Sequence, residues 1–219
     1  MTQRDRAPGL IVQFAKAPMV GQVKTRLYSA LTPDDATALH CALVTHSHQM
    51  LKSLAKVQNV LAVAPLDHDF WRQEIFSSTP LWPQPAGDLG QRMFACFEHH
   101  LQGGINPWVI VIGSDCPALS PAYLADVVTA LERGQQLVLG PANDGGYVLI
   151  AMTSPLPVFE GVDWGTEQVL AQTCAKAGAL GITPYLLGPL ADVDRPEDLA
   201  QLSQYAELSR WSRCASSTL

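Results

Sequence analysis

Short, mostly apolar runs alternate with longer amphipathic stretches along almost the whole chain. Such runs are typical of strands that are covered on both faces of a sheet. They are predicted at Leu10–Ala15, Val60–Ala64, Trp108–Gly113, Leu137–Gly140, Tyr147–Ala151 and Ile182–Leu187. Because strands that alternate with helices are joined by right-handed crossovers, the pattern predicts an α/β fold with a mainly parallel central sheet.

The amphipathic stretches carry signals for helix ends. Thr32 can cap a helix whose first turn holds Pro33, and Glu197 follows Asp194 at the spacing of a capping box. The predicted helices run from Thr32 to about Lys56, from Asp88 to Leu101, from Ser120 to Gly134, from Thr166 to Lys176, and onward from Asp194. Placed on both sides of the sheet, these helices predict a single-domain, three-layer α/β/α fold.

The chain has the length of one generous domain, and no repeat or linker divides its 219 residues. We expect the domain to span residues 10–206, with tails at 1–9 and 207–219. No apolar run approaches the roughly 20 residues that cross a bilayer, and no signal-peptide pattern precedes Leu10. Five scattered cysteines favour reduced thiols over a disulfide framework or a zinc site. Together these features predict a cytoplasmic protein of undetermined oligomeric state.

The charge of the chain excludes one class of partner. The formal net charge is −6, and no basic run or basic–aromatic stripe is present. Binding of a nucleic acid polymer depends on clustered Lys and Arg, so it is not expected. A small nucleotide remains possible, because a few cations and backbone amides suffice to bind it.

The loop after the first strand concentrates positive charge. Lys16, Lys24 and Arg26 lie close together in sequence, at the edge of the sheet where α/β proteins bind ligands. Cations so close repel one another unless an anion compensates them, and a polyphosphate would do so. The spacing is neither that of a P-loop nor that of a Rossmann fingerprint. We interpret the loop as a phosphate-binding segment, with a solvated surface loop as the alternative.

Asp115 follows the third strand within the segment Gly113–Pro117. A buried strand that ends in a carboxylate suits Mg²⁺ or Mn²⁺, because hard cations prefer carboxylate oxygens and keep water and phosphate as their other ligands. The alternative is an aspartate that hydrogen-bonds the turn before Pro117. Asp192 and Asp194 lie two apart after the last strand, where both could face one cation. For Asp194 the alternative is a helix cap.

Three further segments give weaker signals. Asn143–Tyr147, with its adjacent glycines, is either a hairpin turn or the floor of a substrate site, and it can be both. Gly87–Arg92 opens a helix whose free amides could bind an anion or a base edge. Trp164–Thr166 opens another helix and places an aromatic face beside a loop. Taken alone, the Asn143–Tyr147 turn favours neither interpretation, whereas each of the other two segments is more often structural than functional.

Taken together, these motifs resemble the nucleotide-diphospho-sugar transferase (GT-A-like) superfamily. They resemble more closely a family of small bacterial glycosyltransferase-like proteins of the DUF2064 type, which is often associated with radical-SAM and arsenosugar gene sets. The resemblance covers about residues 10–202. It rests on Phe14–Pro18 with Gly21 and Lys24–Arg26, Gly87–Gly90 with Arg92–Met93, Gly113–Pro117, Asp144–Tyr147, Trp164–Thr166, and Asp192–Asp194 with Pro196–Leu199.

The resemblance implies a role for each motif. Lys24, Arg26 and Asp115 would be catalytic, and Asp115, Asp192 and Asp194 would hold Mg²⁺ or Mn²⁺. The implied nucleotide-binding residues are Ala15, Lys16, Gly21, Lys24, Arg26, Gly87, Gly90, Arg92, Ser114 and Asp115. A small acceptor would face Asp144, Gly145, Gly146, Tyr147, Trp164, Gly165 and Thr166.

Two chemistries share this layout. In the first, a sugar passes from a nucleotide sugar to a small acceptor. In the second, as in the molybdenum-cofactor and phospholactate guanylyltransferases, a nucleotidyl group passes from a nucleoside triphosphate and pyrophosphate leaves. The chain lacks the glycine-rich first loop of the molybdenum-cofactor enzymes, which leaves the nucleotide open. A non-catalytic nucleotide-binding protein is a third possibility, but it would be expected to have lost one of the acidic positions.

Overall fold

The computed structural model describes residues 9–55 and 57–217, and all six predicted strands are present in it. The strands are β1 (Leu10–Lys16), β2 (Gln58–Ala64), β3 (Leu81–Pro83), β4 (Val109–Ile112), β5 (Leu137–Pro141), β6 (Tyr147–Met152) and β7 (Tyr185–Leu186). β3 was not predicted because it is three residues long, ends in proline and lies half-exposed at the sheet edge. The predicted tail at residues 1–9 falls outside the described residues except for Gly9.

The α-helices are α1 (Pro33–Lys52), α2 (Leu89–Leu101), α3 (Pro121–Glu132) and α4 (Val169–Ala179). Two predicted ends are wrong. α1 ends at Lys52, whereas the predicted end Lys56 lies outside the described residues. α4 begins at Val169 and not at Thr166, because residues 163–168 form a turn that Thr166 Oγ1 closes on Asp163 O at 2.8 Å. The last predicted helix is a 3-10 helix at Pro196–Gln204, and other 3-10 helices cover Thr25–Leu27, Asp69–Arg72, Glu74–Phe76, Gln102–Gly104 and Ser209–Ser217.

One seven-stranded sheet with the order β3-β2-β1-β4-β6-β5-β7 organises the molecule. β6 is antiparallel to both of its neighbours, while the other pairs are parallel. The mainly parallel sheet is therefore confirmed. Since β6 runs in the opposite sense, its first residue Tyr147 lies at the same edge as the carboxyl ends of β1, β4 and β5. That edge gathers most of the sequence motifs.

Alternating side chains of the strands pack on the two faces of the sheet. Leu10 and Val12 of β1 belong to a core with Met93 and Phe97 of α2, and Ala177 of α4 joins it. Ile11 faces the opposite core, which holds the end of α1 and the inner side of α3. The three-layer α/β/α arrangement predicted for the chain is thereby confirmed.

The C-terminal segment packs against the outer side of α1. Val193, Leu202, Leu208 and Trp211 are buried there together with Leu43. The packed structure therefore continues past residue 206, where we predicted the domain to end. Within the part of the chain that the structure describes, no helix is long and apolar enough to cross a membrane.

Candidate functional site

Asp115 lies just beyond β4, whose four residues are all buried. The turn is held by Ser114, whose hydroxyl donates to Phe14 O at 2.8 Å and accepts from Gln13 Nε2 at 3.0 Å. Gln13 is fully buried and also donates to Val44 O of α1. These hydrogen bonds tie the end of β4 to β1 and α1. They fix the backbone that carries the Asp115 carboxylate at the ligand-binding edge.

The Asp115 carboxylate has two different environments. Its Oδ2 lies 3.0 Å from Lys24 Nζ, whereas its buried Oδ1 has no hydrogen-bond partner among the residues the structure describes. Burial acts to raise the pKa of Asp115, but the positive charge of Lys24, with a contribution from His40, holds it below the ordinary value. Asp115 is therefore charged at neutral pH, and its Oδ1 is a buried acceptor without a partner among the described residues.

Lys24 is unusual in both its backbone and its side chain. It adopts φ 52° and ψ 33°, and among the described residues no other non-glycine has a positive φ. Only 4% of its side chain is exposed, and Nζ donates to Val193 O as well as to Asp115. Left-handed backbone costs an ordinary residue on the order of 1–2 kcal/mol. The fold keeps this strained conformation while it places one ammonium group beside Asp115.

The first loop does not carry the uncompensated charge that the sequence suggested. Lys24 pairs with Asp115, and Arg26 Nη1 lies 2.6 Å from Asp194 Oδ2. Two of the three cations therefore have acidic partners, while Lys16 is exposed at the end of β1. The negative charge that compensates Lys24 and Arg26 in this structure therefore comes from Asp115 and Asp194 of the chain itself. The pairs form because both aspartates return to this edge from distant parts of the chain.

Asp194 is not the helix cap that the sequence allowed. The N-cap is Arg195, and Asp198, three residues on, accepts through Oδ2 from the backbone nitrogens of Asp194 at 3.0 Å and Arg195 at 2.7 Å. The predicted pairing of Asp194 with Glu197 is wrong, since the 3-10 helix begins at Pro196 and not at Asp194. The Asp194 carboxylate is instead free to bind Arg26.

The segment that carries Asp192 is fastened beside Asp115. Val193 is fully buried and donates from its backbone nitrogen to Asp115 O at 2.9 Å. Burial, followed by the negative charge of Asp144, raises the pKa of Asp192 from 3.8 to about 6, and the charge of Asp115 contributes. Burial disfavours the charged form of Asp192, and the nearby carboxylates of Asp144 and Asp115 disfavour it further.

We expect Asp192→Asn to raise the melting temperature at pH 8 but not at pH 4. An acid whose folded pKa exceeds its unfolded value binds more protons when folded, so its presence lowers stability as pH rises from 3.8 to about 6. Removal of the charge should recover a few degrees, because about 1 kcal/mol moves the melting temperature of a domain of this size by roughly 2–4 °C. Thermal unfolding at both pH values is the measurement. An equal change in melting temperature at pH 8 and pH 4 would show that the charge of Asp192 does not destabilise the folded protein.

The residues present fit a divalent cation only in part. No three His, Cys, Asp or Glu side chains of the described residues lie close enough together to form a metal site. The free Oδ1 of Asp115 and the poorly compensated Asp192 are nevertheless carboxylate oxygens of the kind that Mg²⁺ and Mn²⁺ prefer. Such cations usually take one or two carboxylates and complete their coordination with phosphate and water. These oxygens could supply at most one or two ligands to a divalent cation.

Two of the cavities that open at this edge adjoin each other. The first, the polar cavity, has a volume of about 500 Å³, and the second, the aromatic cavity, has a volume of about 210 Å³. The polar cavity is lined by Ala15, Lys16, Lys24, His40, Gln84, Gly87, Arg92, Ser114, Asp115 and Asp194 among others. The aromatic cavity is lined by Arg26, Met93, Asp144, Gly146, Tyr147, Trp164, Gly165, Thr166 and Asp192 among others. Phe14, Leu89 and Gly113 line both, so the two cavities are continuous.

Three predicted site residues lie outside both cavities. Gly21 is exposed with φ 85°, and an added Cβ there would meet no atom within 4 Å. Gly145 allows the β5–β6 turn to lie against Glu167, where a Cβ would collide with backbone, and its carbonyl accepts from Leu170 N at 2.9 Å. The hairpin interpretation of this turn is confirmed, and the same turn also supplies Asp144 to the aromatic cavity. The third residue, Gly90, supports the cavity wall from behind.

Gly90 makes room for Trp164. A Cβ on Gly90 would lie 2.6 Å from Trp164 Cζ2, so the indole packs directly on the first turn of α2. The free amides expected at this helix end are partly used, because Asp88 Oδ1 accepts from Gln91 N at 2.8 Å. The Arg92 side chain is oriented by a hydrogen bond in which its Nε donates to Gly87 O at 2.9 Å. The 87–92 segment thus shapes both cavities, with Arg92 as its charged contribution.

Gly90→Ala should distort the aromatic cavity and cost about 1–3 kcal/mol of stability, which is typical of overpacking. Gly178→Ala is the matched control, because it lies in α4 and an added Cβ meets no atom within 4 Å. The control should gain roughly 0.5–1 kcal/mol from the better helix former. Urea unfolding and tryptophan emission measure both effects. Unchanged stability and emission in Gly90→Ala would show that Trp164 is not held by this contact.

Sequence reasoning missed two residues of the polar cavity. Gln84 donates from Nε2 to Ala15 O and Ala62 O, so both of its hydrogens are used and its Oε1 remains an acceptor at the cavity. His40 lies in the middle of α1 and is 6% exposed. Its Nε2 bonds Lys16 O at 2.9 Å, and burial lowers its pKa. Neither residue stands in a recognisable motif, and only the tertiary structure brings them to the site.

Solved structures with the same fold define the class of this protein. A proposed nucleotide-diphospho-sugar transferase from Desulfovibrio desulfuricans G20 is 27% identical, with 94% of each chain covered and a TM-score of 0.84. The chain therefore has the nucleotide-diphospho-sugar transferase (GT-A-like) fold. Residues 47–166 match the bacterial family described as "Uncharacterized protein conserved in bacteria (DUF2064)". The protein belongs to that family.

More distant structures share the fold alone. Glucosyl-3-phosphoglycerate synthase from Mycobacterium tuberculosis, in complex with Mn²⁺, UDP and glucosyl-3-phosphoglycerate, is 14% identical over 95% of this chain and 78% of that one, with a TM-score of 0.54. A cytidylyltransferase from Leptospira borgpetersenii is 13% identical over 93% and 90%, with a TM-score of 0.55. A comparison with curated proteins found no match. The neighbours are transferases, in agreement with the predicted class of enzyme.

Proposed function

We propose that the chain is a transferase that binds a nucleotide sugar and a divalent cation, Mg²⁺ or Mn²⁺, and passes the sugar to a small acceptor. The observation that carries the proposal is the ion pair at the polar cavity between the buried Lys24 side chain and the half-exposed Asp115. The pair joins the buried ammonium group of Lys24, whose backbone is left-handed, to a carboxylate that has one oxygen without a partner. This combination supplies both a donor for phosphate oxygens and a ligand for a cation.

The polar cavity has the chemistry that a nucleoside diphosphate requires. Lys16, Lys24 and Arg92 surround it with positive charge, and Asp115 lies among them. A cation bound at Asp115 would offset the negative charge that develops on the leaving phosphate. Lys24 would then share Asp115 with the cation and donate its third hydrogen to a phosphate oxygen. Arg92, held by Gly87 O, would contact the phosphate or ribose from the opposite wall.

The aromatic cavity has the chemistry that a sugar or a small acceptor requires. Trp164 and Tyr147 meet edge to face, with ring centroids 6.4 Å apart, and they form an apolar wall. Asp144 and Asp192 add carboxylates that can accept hydrogen bonds from hydroxyl groups. Since this cavity is continuous with the polar cavity, the transferred group would lie beside the phosphates. The volume of about 210 Å³ suits a group the size of a single sugar.

Nucleotidyl transfer is the second candidate, and the position of the basic loop favours it. Lys16 and Lys24 lie where a departing pyrophosphate would need positive charge. The acceptor oxygen would then attack the α-phosphorus of a nucleoside triphosphate, and the bond to the pyrophosphate would break.

A non-catalytic nucleotide-binding role would leave both donors intact. Five free cysteines support a reducing compartment such as the cytoplasm for any of these activities.

Phosphorus NMR distinguishes these candidates. The protein is incubated with nucleotide sugars of each base, and separately with nucleoside triphosphates, with Mn²⁺ or Mg²⁺ and with pooled small metabolites as acceptors. Nucleoside diphosphate from the nucleotide sugars supports glycosyl transfer, and pyrophosphate from the triphosphates supports nucleotidyl transfer. Binding without either product would support the non-catalytic role. If no nucleotide raises the melting temperature with or without a cation, the proposed function is wrong.

A further inference from the structure

Gln84 carries an amide whose orientation is fixed by the strands beside it. The residue follows β3 and is half-buried, and its backbone nitrogen donates to Val63 O at 2.9 Å. Its Nε2 donates to Ala62 O of β2 at 2.8 Å and to Ala15 O of β1 at 3.2 Å. Because a carbonyl oxygen can only accept, the amide nitrogen must face these two strands. A flipped amide would turn its oxygen toward two other oxygens, so the side chain has one orientation.

The amide of Gln84 therefore offers the polar cavity an acceptor and no donor. Gln84 lines this cavity, both hydrogens of its Nε2 are used, and no donor among the described residues bonds its Oε1. A ligand hydroxyl can rotate to donate to any acceptor, so a fixed acceptor hardly discriminates among sugars. A nucleobase holds its donors and acceptors in fixed positions. The Gln84 amide consequently favours a base that presents an N–H group to it over one that presents a lone pair.

Gln84 lies at a distance from the charged groups of the cavity that suits a nucleotide. Its amide bonds β2 and β1, whereas Asp115 follows β4 on the far side of β1. Neighbouring strands lie about 4.8 Å apart, so β2 and β4 are separated by roughly 10 Å. Both residues line the same cavity. A nucleotide with its phosphates beside Lys24 and Asp115 would extend along this edge and bring its base to Gln84.

We propose that Gln84 recognises the base of the bound nucleotide, with Oε1 as the acceptor of a hydrogen bond from an N–H group of the base. This inference rests on the proposed function, because it assigns the base end of a ligand whose phosphates bind at Lys24 and Asp115. The N–H group is a ring N–H in uracil, a ring N–H or amine in guanine, and an exocyclic amine in cytosine and adenine. A methyl group in place of that hydrogen leaves Oε1 without a donor and weakens binding.

Isothermal titration with methylated bases tests the proposal. Of UDP, GDP, CDP and ADP, the diphosphate that binds most tightly is compared with the analogue in which methyl groups replace the N–H hydrogens of its base. We expect the analogue to bind the wild type about fivefold to 100-fold more weakly, the range for a hydrogen-bonding group left without its partner. Inorganic pyrophosphate has no base and serves as the reference for the phosphate end of the site.

Two variants remove the acceptor in different ways. Gln84→Met has a side chain of similar length without hydrogen-bonding groups, whereas the ammonium group of Gln84→Lys can still donate to Ala62 O and Ala15 O. In both, we expect the parent diphosphate and its methylated analogue to bind with nearly equal affinity. Gln84→Met should also leave the affinity for pyrophosphate unchanged. Gln58→Met is the matched control, because Gln58 is exposed at the start of β2 and lines neither cavity; it should keep the wild-type ratio.

The outcomes separate this inference from the proposed function. If the wild type binds the methylated analogue as tightly as the parent, or if the two Gln84 variants keep the wild-type ratio, Gln84 does not recognise the base and the function stands. An equal loss of pyrophosphate and nucleoside diphosphate in Gln84→Met also overturns the inference, because Gln84 then only supports the cavity wall. If neither pyrophosphate nor any of the four diphosphates binds, with or without a cation, the proposed function fails together with the inference.

Discussion

Asp115→Asn is expected to abolish cation-dependent nucleotide binding while the chain remains folded. The amide keeps an oxygen for Lys24 Nζ, which lies 3.0 Å away in the wild type, but it removes the negative charge that a cation needs. Turnover should fall about 100-fold to 1,000-fold, which is the range for loss of one electrostatic contribution in an active site. Isothermal titration with nucleotide, with and without Mn²⁺, measures the loss of binding.

The same substitution should also lower stability, because Lys24 is almost completely buried and loses its counter-charge. A hydrogen bond to a charged group contributes about 1.5–3 kcal/mol. The pKa of Asp115 is depressed in the folded state, so its contribution is present above the ordinary value of 3.8 and is lost as pH falls below it. The difference in melting temperature between wild type and variant should therefore shrink at acid pH.

Asp126→Asn is the matched control for Asp115→Asn. Asp126 is exposed on α3 and lines neither cavity, so the same chemical change there should leave nucleotide binding and stability nearly unchanged. If Asp115→Asn still binds nucleotide in a cation-dependent manner as the wild type is expected to, Asp115 has only a structural role in the turn. Because Asp115 forms an ion pair with Lys24 in the structure, Asp115→Asn is expected to lower the free energy of unfolding. Loss of a carboxylate without an ion pair would have had little effect on it.

The strands and the position of Asp115 could be predicted from sequence because both depend on local pattern. A short run of β-branched apolar residues such as Val109–Ile112 favours a buried strand. The residues that follow it then lie at the carboxyl edge of the sheet. The edge strand β3 could not be predicted, because three half-exposed residues carry no such pattern. Its pairing with β2 is decided by tertiary context.

The charge pairs of the site could not be predicted for a related reason. Lys24 meets Asp115, and Arg26 meets Asp194, across long stretches of chain. Composition and spacing show only that cations cluster in one loop, not which carboxylates return to face them. His40 was missed because a single histidine on an amphipathic helix has no signature. The sequence therefore indicated which segments meet at this edge, but not which side chains contact one another there.

Lys24→Met should reduce nucleotide affinity or turnover by about 100-fold to 1,000-fold. Methionine has a similar apolar stem, but it removes the ammonium group that touches both Asp115 Oδ2 and Val193 O. Burial of Asp115 is then no longer opposed by Lys24, so the pKa of Asp115 should rise. The affinity for a nucleoside diphosphate should fall much more than the affinity for the uncharged nucleoside. Isothermal titration with both ligands measures this difference.

Lys52→Met is the matched control, because Lys52 is exposed at the end of α1 and lines neither cavity. It should leave nucleotide affinity unchanged. If Lys24→Met also binds nucleotide as tightly as the wild type, the Lys24–Asp115 pair is structural and the proposed function loses its main support.

A double-mutant cycle with Asp115→Asn separates the ion pair from other effects of Lys24. Each single variant leaves one charge of the pair without its partner, which costs free energy of folding. The double variant removes both charges, so this cost does not arise. The double variant should therefore be more stable than the sum of the two single losses predicts, by roughly 0.5–3 kcal/mol for residues in contact. Urea unfolding of the four proteins gives the coupling. Strict additivity would mean that Lys24 stabilises the loop through Val193 O alone, and its strained backbone would then need another cause.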